Sequence, residues 1–422
     1  MAEINVSLFK LVAGVSNALD LVNPLLVNHH KQVAYVASSI AEEMELPRDE
    51  QIKILLAGLL HDVGCISLKS RLDLLHPEIE ETANHAEIGY HLIKSFEPFS
   101  KIAALIRYHD MPWNNRETRD EDIPLGSYIL KLADAVVVRI NKKKEILGQV
   151  VGICEEIRKL SGKTFMPELV KTFLHLSSYE SFWFDVTLFS IDSALAKRAR
   201  LAPIELNMED IVCLSKLICH IIDFRSRFTA THTNGVAAAA VNLCRLLGFS
   251  EQEQQMMRIA GYLHDLGKLS VPAELLEKPA SLSEDEFRVI KKHTYNTYRV
   301  LGTIPDLHSI NEWASFHHER LDGNGYPFHR KDENLPLGAK ILAVADVFTA
   351  ITEDRPYRKG MSKDEVLKVL RKMVGSALDP LVVVTLEKHY DMICSMCKDA
   401  REEAFLEYVE FEKYLNGDRN NA

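Results

Sequence analysis

The sequence predicts an all-α protein with two tandem helical-bundle domains, and three observations lead to this fold class. Apolar residues recur at helical spacing, as in Val33, Val36, Ile40 and Met44. No segment shows the convincing alternation of apolar and polar residues that is typical of a half-buried strand. The chain of 422 residues is too long for one ordinary core, and its two halves carry the same pattern of residues.

The repeated pattern consists of six histidine and aspartate residues in the same order. In the first half they are His29, His61, Asp62, His85, His109 and Asp134. In the second half they are His232, His264, Asp265, His293, His317 and Asp346. Most of the separations are identical, so the copies differ by short loop insertions. The repeat predicts a domain at 1–200 and a domain at 207–422.

Local signals place these residues on helices. Ser283 followed by Glu286 is a capping-box pattern, which predicts the start of the helix that carries His293. The stretches 141–200 and 384–416 are predicted to add further helices at the end of each domain.

Composition restricts the class of protein. The net charge of −10 argues against a protein that binds nucleic-acid polymers or anionic membranes. No apolar run approaches the roughly 18 residues needed to span a bilayer. The first residues lack the basic region and apolar core of a signal peptide. Seven cysteines without a disulfide framework are typical of a reducing compartment, so we expect a cytoplasmic protein.

The second copy offers seven candidate metal ligands. They are His232, His264, Asp265, His293, His317, His318 and Asp346. Imidazole and carboxylate together suit iron, manganese, nickel or zinc better than calcium. Seven ligands are too many for one tetrahedral site, but they fit two metals that share a bridging carboxylate. Such a pair can activate water and stabilise an in-line phosphoryl displacement.

The motifs around these ligands resemble the HD superfamily, and the second half closely resembles the HD-GYP family of cyclic-di-GMP phosphodiesterases. The motifs are HDLGK at 264–268, HHERLDGNGYP at 317–327 and DVFTAITEDRPYR at 346–358. The resemblance covers roughly 223–383. It implies an HD-type helical bundle with a two- or three-metal centre that hydrolyses the 3′–5′ phosphodiester bonds of a cyclic dinucleotide. In three-metal members an acidic residue lies one helical turn before the first histidine. Phe228 occupies that position here, which favours two metals.

The resemblance also implies roles for individual residues. Asp265 would bridge the two metals and act in catalysis together with Lys268. The remaining ligands would divide into His232, His264 and Asp346 on one metal and His293, His317 and His318 on the other. Phosphate and substrate contacts are implied for Lys268, Arg355, Tyr357, Arg358 and Tyr326. The Gly-Tyr-Pro loop is also a candidate contact for diguanylate cyclase (GGDEF) domains.

The first copy departs from the family pattern. It keeps all six repeated residues, so it can still bind metal. However, Cys65 stands where the second copy has Lys268, and Asp110 stands where it has His318. No Gly-Tyr-Pro loop follows His109, and the two arginines have no clear counterpart. The first domain is therefore predicted to be a degenerate HD domain with a regulatory or structural role.

The sequence leaves three functional hypotheses open. The leading hypothesis is hydrolysis of cyclic-di-GMP or 3′,3′-cyclic GMP-AMP to a linear dinucleotide, to mononucleotides or to both. A second hypothesis is another HD phosphohydrolase activity, on a nucleotide or an alarmone. The third is a catalytically silent scaffold that binds a cyclic dinucleotide and signals. The Gly-Tyr-Pro block favours the first over the second, and the complete ligand set argues against the third.

Overall fold

A computed structural model describes residues 6–20, 26–65, 83–114, 122–187, 191–199, 204–224, 231–276, 278, 280–353 and 359–417 of the chain. Almost all regular structure in these ranges is α-helical, which confirms the predicted fold class. The exception is a two-stranded sheet of Val6–Ser7 (β1) and Glu205–Leu206 (β2). No helix within the described ranges is long and apolar enough to cross a membrane.

The chain divides into two compact units. The N-terminal unit is Ser7–Glu205, and the C-terminal unit is Leu206–Ala422 together with Met1–Val6. The described helices of the N-terminal unit are α1 (Leu8–Asp20), α2 (His29–Glu43), α3 (Arg48–Leu60), α4 (Ala83–Ile93), α5 (Glu97–Arg107), α6 (Leu125–Val138), α7 (Val150–Lys159), α8 (Pro167–Leu176), α9 (Glu180–Thr187) and α10 (Asp192–Ala199).

The C-terminal unit has the same general build. Its described helices are α11 (Met208–Phe224), α12 (His232–Leu246), α13 (Glu251–Leu263), α14 (Ala273–Leu276), α15 (Glu284–Leu301), α16 (His308–Ser315), α17 (Leu337–Thr352), α18 (Lys363–Met373), α19 (Pro380–Lys388) and α20 (Tyr390–Gly417). Short 3₁₀ segments lie at Leu266–Ser270, Pro305–Leu307 and Asp332–Asn334, and one lies in the N-terminal unit at Leu147–Gln149.

One central helix organises each unit. Helix α2 is buried from His29 to Ala41 and packs against α3 and α6. Helix α12 carries the small-residue run Ala237–Ala240 and packs against α13, α17 and α20. Small side chains let neighbouring helices approach closely. The close packing buries His29 at the start of α2 and His232 at the start of α12. His29 and His232 are both less than 6% exposed.

The start of α15 matches its sequence signal. Ser283 caps the helix: its hydroxyl accepts from the Glu286 backbone N–H, and the Glu286 carboxylate accepts from the Ser283 backbone N–H. This confirms the predicted capping box. The cap fixes the beginning of the helix that presents His293.

A close backbone contact holds the His-Asp turn of each copy against the following histidine. A Cβ on Gly267 would lie 1.9 Å from the carbonyl oxygen of His293. A Cβ on Gly64 would lie 2.1 Å from the carbonyl oxygen of His85. Only glycine allows backbones to come this near. Both units therefore use glycine to bring an aspartate and a distant histidine together.

Candidate metal centre

The C-terminal unit brings all seven predicted ligands into one cluster, in which His318 and Asp346 are partly exposed and the other five are buried. They come from different elements: His232 begins α12, His264 and Asp265 follow α13, His293 lies in α15, His317 and His318 follow α16, and Asp346 lies in α17. The cluster contains two groups whose ligand atoms all lie within 4.8 Å of one another. One is His232, His264 and Asp346, and the other is His293, His317 and His318.

Asp265 lies between the two groups. Its Oδ2 is 3.1 Å from Nε2 of His264, and its Oδ1 is 3.4 Å from Nε2 of His293. The side chain is almost fully buried. One carboxylate oxygen therefore faces each group, as a shared ligand of two metals requires.

Three of the imidazoles are turned so that Nε2 points into the cluster. Nδ1 of His264, His293 and His317 donates to the carbonyl oxygen of the residue three positions earlier, at 2.7, 2.7 and 2.6 Å. The buried Nε2 atoms of His293 and His317 have no hydrogen-bond partner. A ring nitrogen whose opposite N–H is held by a carbonyl presents its lone pair for coordination. These unsatisfied nitrogens show that the donor set fits divalent transition metals.

The pKa of the histidines shifts in opposite directions in the two groups, upward for His232 and His264 and downward for His293, His317 and His318. Burial lowers the pKa of His293 to about 3 and holds the pKa of His317 well below its usual value. Both rings are thus neutral near pH 7, the form that binds metal. Burial alone would also lower the pKa of His232. Hydrogen bonds with Asp346 and Glu353 outweigh it and raise that pKa to about 9.

The two aspartates remain ionised. Burial opposes ionisation of Asp265, but the charges of His264 and Lys268 outweigh it and hold its pKa well below the ordinary range. Burial likewise opposes ionisation of Asp346, and its hydrogen bond with His232 outweighs it, so the pKa is again lowered. The centre therefore offers carboxylates ready to neutralise divalent cations.

Comparison with known proteins identifies the family. Residues 26–138 and residues 216–382 each match a family model described as an HD domain. A Vibrio cholerae protein named 3'3'-cGAMP-specific phosphodiesterase 1 is 32% identical over 412 residues, which cover 92% of this chain and 94% of that protein. The chain belongs to the HD-GYP family.

This HD-GYP protein is also similar to other proteins. The Xanthomonas campestris protein named cyclic di-GMP phosphodiesterase response regulator RpfG is 35% identical over 186 residues, covering 44% of this chain and 49% of the relative. The solved structure of the V. cholerae cyclic GMP-AMP specific phosphodiesterase V-cGAP3 superposes with a TM-score of 0.66 at 23% identity. It covers 92% of this chain and 98% of that one, and it supports the fold.

One residue of the HD-GYP centre went unassigned by sequence reasoning. Glu353, just after α17, is buried, and its Oε2 lies 3.2 Å from Nδ1 of His232. Its Oε1 accepts a hydrogen bond from the Thr231 hydroxyl at 2.9 Å. A carboxylate behind a metal-binding histidine orients the ring and raises its basicity. The signal was present in the 346–358 motif, but only the fold shows which of its residues faces His232.

The Gly-Tyr-Pro loop of this HD-GYP protein is anchored next to the centre. The buried Glu319 carboxylate accepts from the backbone N–H groups of Phe328 and Arg330, at 2.6 and 3.0 Å. A Cβ on Gly325 would lie 2.4 Å from Cα of Glu319, so the tight loop needs glycine. The anchored loop places the ring of Tyr326 with its centroid 4.9 Å from that of His318.

Of the other predicted substrate-contact residues, Lys268 lies at the centre and three lie outside the described ranges. Nζ of Lys268 lies 2.5 Å from Oδ2 of Asp265, so its charge faces the centre. Arg355, Tyr357 and Arg358 lie outside the described residues, and their substrate contacts stay predictions.

Proposed function

We propose that this HD-GYP protein is a metal-dependent phosphodiesterase that hydrolyses a cyclic dinucleotide, and that residues 207–422 form its catalytic domain. The observation that carries the proposal is the position of Asp265, whose two oxygens face two separate histidine groups. General HD hydrolases lack the Gly-Tyr-Pro block, which this chain carries beside the centre. Full-length similarity to a protein named as a cyclic dinucleotide phosphodiesterase supports the same substrate class.

The proposed centre holds two divalent metals, with iron or manganese as the preferred ions and nickel or zinc as alternatives. One would be held by His232, His264 and Asp346, the other by His293, His317 and His318, with Asp265 shared. When bound, the metals would supply Lewis-acid activation of water and of the phosphodiester. The mixed imidazole and carboxylate set suits these ions better than magnesium or calcium.

The protein side chains would perform the positioning. Lys268 lies at the centre with its ammonium group beside Asp265, where it can stabilise charge that develops on the phosphate. Tyr326 is held against His318, where its half-buried ring can line the path of a nucleobase or ribose. Arg355, Tyr357 and Arg358 are assigned to phosphate and base contacts within the same proposal.

Among cyclic dinucleotides, 3′,3′-cyclic GMP-AMP is the substrate we favour. The relative that matches over nearly the whole length of this chain is named as specific for 3'3'-cGAMP. The relative named for cyclic di-GMP matches less than half of the chain. Cyclic di-GMP is the second candidate, since the same phosphodiester chemistry would cleave it.

The roles of the N-terminal domain and of the Gly-Tyr-Pro loop also belong to the proposal. The domain at 1–200 would regulate or stabilise the catalytic domain, since it has Cys65 and Asp110 where the catalytic copy has Lys268 and His318. The Gly-Tyr-Pro loop would contact the substrate or a GGDEF-domain partner. Its partly exposed Phe328 and exposed Asn324 offer surface for such a partner.

The test is a hydrolysis assay with the full chain. Protein loaded anaerobically with Fe²⁺ or Mn²⁺ would be incubated separately with 3′,3′-cyclic GMP-AMP, cyclic di-GMP and a nucleoside monophosphate, and the products resolved by chromatography. We expect linear dinucleotide or mononucleotides from the cyclic substrates and faster turnover of 3′,3′-cyclic GMP-AMP. Asp391→Ala, which removes an exposed carboxylate from the same unit, serves as the control.

Two results would contradict the proposal. Release of phosphate from the monophosphate without cleavage of a cyclic dinucleotide would favour a general HD phosphohydrolase. Tight binding of a cyclic dinucleotide without any cleavage by fully loaded protein would favour a silent scaffold.

A further inference from the structure

The N-terminal unit contains a second buried cluster of metal-binding side chains. Nε2 of His29 lies 3.3 Å from Oδ1 of Asp134 and 3.7 Å from Oδ2 of Asp62. Nε2 of His61 lies 3.2 Å from the same Asp62 oxygen. The ligand atoms of His29, His61 and Asp62 all lie within 4.8 Å of one another, and all three side chains are buried. His29, His61 and Asp134 are the counterparts of His232, His264 and Asp346, and Asp62 is the counterpart of Asp265.

A second group lies on the other side of Asp62. Its Oδ1 is 3.5 Å from Nε2 of His85 and 3.7 Å from Nε2 of His109. Oδ2 of Asp110 lies 3.1 Å from Nε2 of His85. His85, His109 and Asp110 also have their ligand atoms within 4.8 Å of one another. Asp62 thus divides its oxygens between two groups, as Asp265 does in the other unit.

The imidazoles of this cluster have the orientation of coordinating rings. Nδ1 of His61 donates to the carbonyl oxygen of Gly58 at 2.9 Å, and Nδ1 of His109 donates to that of Ile106 at 2.7 Å. The buried Nε2 of His61 lies 3.2 Å from Oδ2 of Asp62 but makes no well-aligned hydrogen bond with it. A buried ring nitrogen that points into a group of carboxylates and imidazoles is placed as a metal ligand would be.

Asp110 occupies the position that His318 has in the C-terminal unit, and a second difference accompanies this one. Lys131 stands where the C-terminal unit has Ala343, and its Nζ lies 2.7 Å from Oδ1 of Asp110. This ion pair holds one oxygen and leaves Oδ2 facing His85. A fixed carboxylate is a suitable ligand for a divalent transition metal, so the replacement preserves the number of ligands.

We propose that the N-terminal unit binds its own pair of divalent transition metals, with Asp62 as the shared ligand. His29, His61 and Asp134 complete one position, and His85, His109 and Asp110 complete the other. The three carboxylates of this site, those of Asp62, Asp110 and Asp134, favour holding cations. Cys65 stands where Lys268 supplies an ammonium group to the catalytic site, so this pair stabilises the fold rather than a reacting phosphate.

The test counts metals in the full chain rather than activity. Protein stripped with a chelator would be reloaded with Mn²⁺, desalted and measured by plasma mass spectrometry. We expect about four ions per wild-type chain, about two in Asp62→Asn, about two in Asp265→Asn, and few in the double variant. The control is Asp49→Asn, an exposed carboxylate of the same unit, which should match the wild type.

Stability supplies a second measurement. A metal that binds only the folded unit raises its melting temperature, by roughly 5–10 °C at a concentration about 100 times its Kd. Asp265→Asn protein, which lacks the catalytic pair, should therefore still melt higher with Mn²⁺ than without it. The shift should disappear when Asp62→Asn is added.

Each outcome decides the proposal. Asp265→Asn protein that retains fewer than half an ion per chain would overturn it, because no metal would then reside in the N-terminal unit. Equal metal content in wild-type and Asp62→Asn protein would overturn it as well. If Asp62→Asn fails to fold, Asp110→Asn replaces it, since Asp110 lies at the edge of the cluster. Asp110→Asn should lose about one ion, and unchanged content would count against the site.

Discussion

Asp62 and Asp265 follow a buried histidine in the two units, and each directs one oxygen to either side of a divided histidine cluster. The residue three positions later differs. Lys268 places an ammonium group 2.5 Å from Asp265, whereas Cys65 occupies the equivalent position beside Asp62. The comparison separates two properties that one centre can combine: the ability to hold metals and the ability to stabilise a reacting phosphate.

The segment after His109 and the Gly-Tyr-Pro loop after His318 also differ in whether they present side chains to a ligand. In the C-terminal unit, Glu319 folds the Gly-Tyr-Pro loop back so that Tyr326 lies against His318. In the N-terminal unit the corresponding backbone turns elsewhere: Trp113 and Asn114 donate to the carbonyl oxygens of Thr164 and Lys163. The first arrangement presents side chains to a ligand, and the second closes the segment onto its own unit.

Among the residues that are not metal ligands in the proposal, Lys268 has the largest expected effect. Lys268→Ala should lower kcat for cyclic dinucleotide hydrolysis by about 10²–10³-fold, because one preorganised charged contact to the transition state is lost. Metal content should stay at the wild-type value, since the lysine is not a ligand. Steady-state kinetics and metal analysis on the same sample check both parts. Lys398→Ala, an exposed lysine of the same unit, is the matched control. A fall in metal content equal to the fall in rate would refute the assigned role.

A smaller effect is expected from Glu353. Glu353→Gln removes the negative charge behind His232 and should weaken metal binding by about 10–100-fold. Chelator competition with Mn²⁺ measures this directly. Glu402→Gln changes an exposed residue of the same unit and should leave the affinity unaltered. If Glu353→Gln binds metal as tightly as the wild type, Glu353 does not position His232.

The loop comparison predicts the smallest effect. Gly325→Ala would place a Cβ 2.4 Å from the backbone of Glu319 and should cost about 1–3 kcal/mol of stability. Denaturant unfolding would measure the loss. Gly152→Ala makes the same change inside helix α7 where no atom lies within 4 Å, and it should leave stability unaltered or raise it by up to about 1 kcal/mol. Equal stability of both variants would mean that the loop can shift without strain.

The residues that cluster in each unit could be predicted from sequence because their spacing repeats and because histidine and aspartate rarely recur in order by chance; their role as metal ligands stays a prediction. The helical fold followed from periodicity and caps such as Ser283 with Glu286, and the structure confirms it. Glu353 and Lys131 could not be assigned in this way. Glu353 matters because it faces the ring of His232, and Lys131 matters because it faces the carboxylate of Asp110. Spacing along the chain does not show which side chains of distant segments face each other.

The most direct measurement compares the specific activities of Asp62→Ala, Asp265→Ala and the double variant on a cyclic dinucleotide at saturating metal. The central claim is that the C-terminal centre performs the hydrolysis, whereas the N-terminal cluster lacks the groups that position a phosphate. Asp62→Ala should therefore retain most of the activity, and Asp265→Ala and the double variant should retain almost none. Loss of activity in folded Asp62→Ala as complete as in Asp265→Ala would contradict the account, because both centres would then be needed for the reaction.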